Sequence, residues 1–235
     1  MIYEGSYGTV NFFEDSYLKT HKRVWVSISG GTDSALVFEM LCREPSIEEI
    51  TPYTGIETSR PKHIYFVNAI VDYFRKKYPN KVIRDVVSKT FEVSKDVRKN
   101  FFIRKIQQDA IKMGLVDVFV QGMTSNPSEQ VMIENHMFAK NENRRSGWSD
   151  KDQVIHLHAG IGLYRPLLFV TKQFVAEMYQ KLNLMDDLYP LTTSCTGYAE
   201  ETKDWMIPCE KCFWCLERKW AFGTYDLNNW KKFDK

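Results

Sequence analysis

The sequence has no Gly-Lys-Ser or Gly-Lys-Thr anywhere in its 235 residues, and that absence argues against γ-phosphate chemistry of the kinase or motor kind. It also lacks any apolar run approaching the ~18 residues that cross a membrane. Its first residues, Met-Ile-Tyr-Glu-Gly-Ser, lack the basic region followed by an apolar one that marks a secretory leader. A cytoplasmic chain with no membrane partner is the expectation. Charge of either sign is nearly balanced, with 32 Lys and Arg against 30 Asp and Glu, a formal +2. Such a balance gives no electrostatic footprint for nucleic acid, and clusters such as Arg75-Lys76-Lys77 and Arg144-Arg145 are as well explained by solvated helix faces. Cysteine is scarce until the last quarter, where four of the five fall. That crowding argues against a disulfide framework and for a metal site in a reducing compartment.

What is present suffices for a sizeable core, since 43% of the residues are apolar and 14% aromatic. We expect one α/β domain over residues 1–190 and a C-terminal extension, 191–235, packed on it. The most informative stretch is 24–41. Residues 24–28 are a β-branched and aromatic run suited to a buried strand, and Ala35, Leu36, Phe38, Met40 and Leu41 suit a helix. Between them stands Ser29-Gly30-Gly31-Thr32-Asp33-Ser34. Gly30 and Gly31 have no Cβ, so the backbone can turn sharply and bring its N–H groups close to an anion. The helix is expected to start near Asp33 and Ser34, whose side chains suit a cap, with its positive end toward the same anion. Ser29, Thr32 and Ser34 add hydroxyl donors. Such a six-residue pattern arises by chance in about one chain in several thousand of this length.

In chain order, residues 1–20 suggest an edge hairpin carrying Tyr3, Tyr7, Val10, Phe12 and Phe13. Residues 50–56 read as a short strand that Pro52 demotes toward an edge or a loop. A helix follows with Ile64, Phe66, Val67, Ile70, Val71 and Phe74, then a strand over 82–87. A long helix is expected over 94–113, with Val97, Phe101, Ile106, Ala110 and Ile111 toward the sheet and Gly114 as its stop. A buried strand at 116–120 closes at Gly122. This alternation is the pattern of a doubly wound, Rossmann-like parallel sheet, whose ligands sit at the carboxyl ends of the strands, where the loop and Gly122 would both lie. Residues 123–153, polar and long, suit either an active-site lid or a surface insertion. A strand at 154–158 would put His156 and His158 on one face, where they could ligate metal, although no third ligand is in view. Thr171 would cap a helix whose first turn carries Lys172. That position opposes the helix dipole and costs stability unless an anion is near.

Cys195, Cys209, Cys212 and Cys215 form Cys-x13-Cys-x2-Cys-x2-Cys. Four soft thiolates at this spacing can close a tetrahedron around zinc, while three cysteines at x2 spacing also occur in iron–sulfur ligation. Four thiolates leave a zinc ion no open position, so the site would be structural. Cys42 falls on the first helix as a small apolar residue.

The Ser-Gly-Gly-Thr-Asp-Ser loop resembles the signature of the PP-loop ATP pyrophosphatases, of the adenine nucleotide alpha hydrolase-like fold. Together with Arg165-Pro166-Leu167-Leu168, Lys172 and the terminal cysteine block with Arg218 and Phe222, it is similar to the 7-cyano-7-deazaguanine synthases of queuosine biosynthesis, over roughly residues 24–222. That resemblance implies ATP split to AMP and pyrophosphate with magnesium. Ser29, Gly30, Gly31, Thr32, Asp33, Ser34 and Gly122 would bind ATP, Asp33 and Lys172 would act in catalysis, and the four cysteines would hold zinc. It also implies a deazaguanine-like small-molecule acceptor and ammonia as partners, and leaves a homodimer open. The acceptor carboxylate would be adenylated, converted to the amide and activated again to the nitrile. Tyr53-Thr54-Gly55-Ile56 and residues 123–129 depart from the family's acceptor motifs, so a relative adenylating a different acceptor is a second reading. A sulfur-transfer or sulfonucleotide-reducing enzyme on the same loop is a third, and a zinc-stapled nucleotide-binding module without turnover a fourth.

Overall fold

The computed structural model describes residues 1–14, 16–60, 63–92, 99–137, 153–157, 161–197, 201–202 and 207–225. Gly8, at φ 134°, sits where the chain turns from strand β1 (Ile2–Gly5) into the antiparallel β2 (Gly8–Asn11). One helical turn, α1 (Ser16–Lys19), leads into β3 (Arg23–Ser27), α2 (Thr32–Arg43), β4 (Glu49–Glu57) and α3 (His63–Lys77). Then come β5 (Val82–Ile83), β6 (Val87–Phe91), α4 (Lys99–Lys112), β7 (Val118–Gln121) and α5 (Glu129–Glu134). The last elements are β8 (Val154–His156), β9 (Gly162–Tyr164), α6 (Lys172–Lys181), a 3-10 turn at Tyr189–Leu191 and α7 (Phe213–Phe222).

The main sheet has the order β5-β4-β3-β7-β9-β8, with β6 also paired to β4, and every pairing is parallel except β8 on β9. From β3 the chain winds outward through β4 to β5 and β6, then returns to β7 on the other side and winds outward to β9. This is the expected doubly wound α/β arrangement, with its reversal of strand order between β3 and β7. Strand alternation sorts the core onto two faces. Val24, Val26, Val118, Val120 and Tyr164 join the residues of α2, α3 and α6 on one side, while Trp25, Phe119 and Leu163 join Ile106 and Ala110 of α4 on the other.

Several expectations are corrected. The N-terminal hairpin is a sheet of its own and not an edge of the main one, and Tyr3, Val10, Phe12 and Phe13 are buried in the core. Pro52 lies in an interior strand, for a specific reason. The Ile50 carbonyl accepts from Arg84 N–H at 2.9 Å on the outer side, and the Tyr53 carbonyl from Ile28 N–H at 2.9 Å on the β3 side. Pro52 therefore faces outward, where β5 has ended opposite Ile50 and β6 begins only opposite Tyr53, so no ladder bond needs its missing N–H. The strand expected over 82–87 is accordingly two short ones. The helix expected over 94–113 is seen as α4, and residues 94–98, including Val97, lie outside the described residues, as do 138–152 of the polar insertion. The start of that insertion is not a surface loop. Thr124 and Ser125 are buried, and Ser125 bonds the carbonyls of Val170 and Leu168, each at 2.8 Å. Among the described residues no helix is long and apolar enough to cross a membrane.

Gly122 is where the two halves of the sheet touch. A Cβ there would lie 2.6 Å from the carbonyl carbon and oxygen of Asp33 and 2.7 Å from Ser34 N, all backbone atoms that cannot swing aside. Gly122→Ala is expected to cost about 1–3 kcal/mol as overpacking, read as a lower urea midpoint. An unchanged midpoint would contradict the close approach.

Candidate functional site

The residues after β3 leave the sheet at the β3/β7 crevice. Gly30 adopts φ 73°, which lets the chain reverse, and Gly31 is the N-cap of α2 without any side-chain capping bond. The helix thus starts at Thr32, one or two residues earlier than the side chains of Asp33 and Ser34 suggested. Ser34 closes the loop from within: its hydroxyl donates to the Gly31 carbonyl at 3.0 Å, accepts from Ser29 N–H at 3.2 Å and lies 3.1 Å from the Ser29 hydroxyl. The loop is therefore shaped by its own serines, and the first N–H groups of α2 have no acceptor within the helix, the local chemistry that suits an anion.

Lys172 enters this end from α6. Its ammonium lies 2.6 and 2.7 Å from the two carboxylate oxygens of Asp33 and 3.4 Å from the Thr32 hydroxyl. Glu217 of α7 stands 3.7 Å away on another side. The three side chains are 5%, 13% and 0% exposed for Lys172, Asp33 and Glu217. Thr171 holds the N-cap position of α6 as expected, but its side chain makes no capping bond. Tyr179, two turns along α6, donates to the Thr32 carbonyl at 3.1 Å and ties the two helices together. The structure thus gathers Ser29 to Ser34, Gly122 and Lys172 at one point. It adds Glu217 and Thr193, which no motif spacing singled out. Thr193 N–H donates to the Gly30 carbonyl at 2.8 Å, so the segment leading to the cysteines forms one wall of the loop.

The sulfurs of Cys195, Cys209, Cys212 and Cys215 all lie within 4.8 Å of one another, and none is in a disulfide. Backbone N–H groups aim at them: Cys209 and Gly197 donate to the Cys195 sulfur at 3.2 and 3.3 Å, and Cys212 to the Cys209 sulfur at 3.4 Å. Bonds with Cys195 and then Cys215 hold the Cys212 thiol well below its usual range, while bonding to Cys212 pushes Cys195 up to about 12. Four neighbouring sulfurs with backbone N–H groups aimed at them are a donor set that suits a soft metal. Cys212 also holds the N-cap position of α7, and the fully buried Arg218 six residues on locks that helix down. Its guanidinium donates to the Tyr189 hydroxyl and the Thr192 hydroxyl, each at 3.0 Å, and lies 4.0 Å over the Tyr189 ring. Cys42 is buried in α2, and burial pushes its thiol far above the usual range. His156 is exposed at the end of β8, and His158 lies outside the described residues.

No family model and no curated protein matches the chain. Among solved structures, it is similar to the U34-tRNA thiolase NcsA from Methanococcus maripaludis with its 4Fe-4S cluster, at 17% identity and a TM-score of 0.45, over 86% of this chain and 71% of that one. At that distance, function has to be argued from the chain's own residues.

Two substitutions separate the parts of this site. If the four thiolates share a metal, Cys212→Ser should lose it and, since such binding energy is folding energy, lower solubility and thermal midpoint. A variant that folds as well as the parent and keeps its metal would rule out a shared four-thiolate site. Lys172→Ala would leave the Asp33 and Glu217 carboxylates together without their cation, and should cost about 3–5 kcal/mol. Chemical denaturation measures it, and a loss below ~1 kcal/mol would place the pair effectively in water.

Proposed function

We propose that the chain is an ATP pyrophosphatase that adenylates a carboxylate or amide acceptor of the 7-deazaguanine kind and uses ammonia as its second substrate. One observation carries the reading: the Ser29–Ser34 loop lies at the strand-order reversal, on an uncapped helix start, with a buried lysine ammonium 2.6 Å from Asp33 at the same point. An acceptor oxygen attacks the α-phosphorus, the bond to the bridging oxygen breaks, and its electron pair leaves on pyrophosphate. Backbone N–H groups of Gly30, Gly31 and Thr32 hold that pyrophosphate, and Lys172 balances the charge gathering on it. Magnesium carried in with ATP would supply further charge neutralisation, and Asp33 would help place it. Ammonia then displaces AMP from the acyl adenylate to give the amide. A second adenylation, on the amide oxygen, lets AMP leave with loss of the amide protons and yields the nitrile.

The acceptor would be read by the residues that depart from the family pattern. Thr54 and Gly55 lie toward the carboxyl end of β4, and Thr124 and Ser125 follow β7, on the sheet edge where ligands of such folds bind. The cysteine extension, 191–235, is assigned a structural zinc. Bonds of ~2.3 Å to a tetrahedral zinc set its sulfurs ~3.8 Å apart, close to the compact group described above. A four-iron cluster spreads its thiolates over separate irons. Metal analysis should find about one zinc per chain and no iron–sulfur absorption.

Chromatography of the nucleotide products is the decisive experiment. AMP and pyrophosphate are expected, and ADP with phosphate would sink the reading. Sulfur transfer through Cys42 is disfavoured by the burial of that thiol, since such chemistry wants an exposed, acidic one. Cys42→Ser should therefore keep full activity. Nucleotide bound without AMP released, across a panel of carboxylate acceptors, would favour the non-catalytic module instead.

A further inference from the structure

We propose that Glu217 is a positioning residue for Lys172, the second counter-ion that takes up the ammonium when Asp33 turns to magnesium. The inference rests on the nucleotide reading above and adds to it a part for the cysteine segment. Both oxygens of Asp33 are engaged by Lys172 at 2.6 and 2.7 Å. A divalent cation requires oxygen ligands at ~2.0–2.1 Å in near-octahedral array, and an ammonium chelated by the same carboxylate repels it. For Asp33 to serve magnesium, the ammonium has to draw back.

It cannot draw back into nothing, because its side chain is only 5% exposed and a buried charge deprived of its partner is strongly destabilising. The Glu217 carboxylate is already 3.7 Å away and fully buried. A move of about 1 Å would bring the ammonium to the ~2.7–2.9 Å of a charge-assisted hydrogen bond. Glu217 itself is held still. It lies between Cys215, in the first turn of α7, and Arg218, whose guanidinium is bonded to Tyr189 and Thr192. The lysine is the part that moves, and α7 sets where it stops.

A sign follows from the charges. Before ligand binds, the Lys172 ammonium faces the carboxylates of both Asp33 and Glu217, so the negative charge at Glu217 opposes ATP arriving without magnesium and favours ATP arriving with it. The readout is the gain in affinity that magnesium confers on α,β-methylene-ATP, by calorimetry on the full-length, metal-loaded protein with magnesium simply omitted from one arm. Glu217→Gln keeps the shape and loses the charge. It should keep the parent's metal content, bind the magnesium-free analogue at least as well, and lose about tenfold of the magnesium gain. Glu217→Asp, with the charge kept but drawn back, should fall between, and decides the matter alone if the Gln variant does not fold. A parental magnesium gain in either folded variant overturns the hand-over. A parent that binds the analogue with no magnesium gain overturns it too, while leaving the nucleotide reading standing. A parent that binds no analogue brings down both.

Discussion

An ammonium on the first turn of a helix, shut away from water, has to be given an anion. The dipole penalty for a cation at that end is about 0.3–1 kcal/mol, whereas leaving it buried and unpaired costs about 3–5 kcal/mol, so the pairing decides the local architecture. Asp33 meets the demand from the first turn of α2, where a carboxylate is favoured by its own helix. For the two starts to meet, α2 must lie hard against the end of β7, and the bare Cα of Gly122 permits it. The Tyr179 hydroxyl on the Thr32 carbonyl then fixes the angle between α2 and α6. What results is a concentration of positive ends around one replaceable carboxylate, the electrostatic condition for taking up a polyphosphate.

The cysteine segment is joined to that site by both of its flanks. Thr193, two residues before Cys195, bonds the Gly30 carbonyl, and Glu217, two residues after Cys215, stands beside Lys172. Arg218 binds the two flanks together by reaching from α7 to Thr192. The four sulfurs therefore sit on the same stretch of chain that bonds the Gly30 carbonyl at one flank and reaches Lys172 at the other.

Much of this was legible in the residues because it is local. A β-branched run, two glycines and a good helix former announce a strand, a turn and a helix within eighteen residues, and the x2 spacing of three cysteines confines their sulfurs to one neighbourhood. What was missed depends on partners distant in sequence. Pro52 looked like an edge marker because a strand's own residues do not tell which of its sides is bonded at each position; here β5 and β6 leave the one gap that suits it. Ser34 looked like a cap, and only the path of the loop shows its hydroxyl turned back onto Ser29 and Gly31. Glu217 drew no attention in the sequence, since no periodicity records that α7 packs against α6.

The N-terminal hairpin imposes an order in time. Phe13 N–H donates to the Tyr164 hydroxyl across 151 positions of chain, and Phe12 and Phe13 pack tilted and edge-on against that tyrosine at 5.8 and 5.6 Å. At about 5–20 residues per second, a ribosome needs roughly eight to thirty seconds to supply the ring on which they settle. Throughout that interval two phenylalanines stand without their native cover on a nascent polypeptide. The hairpin precedes in the chain the ring on which it settles, and its two phenylalanines gain that cover only once β9 has been made.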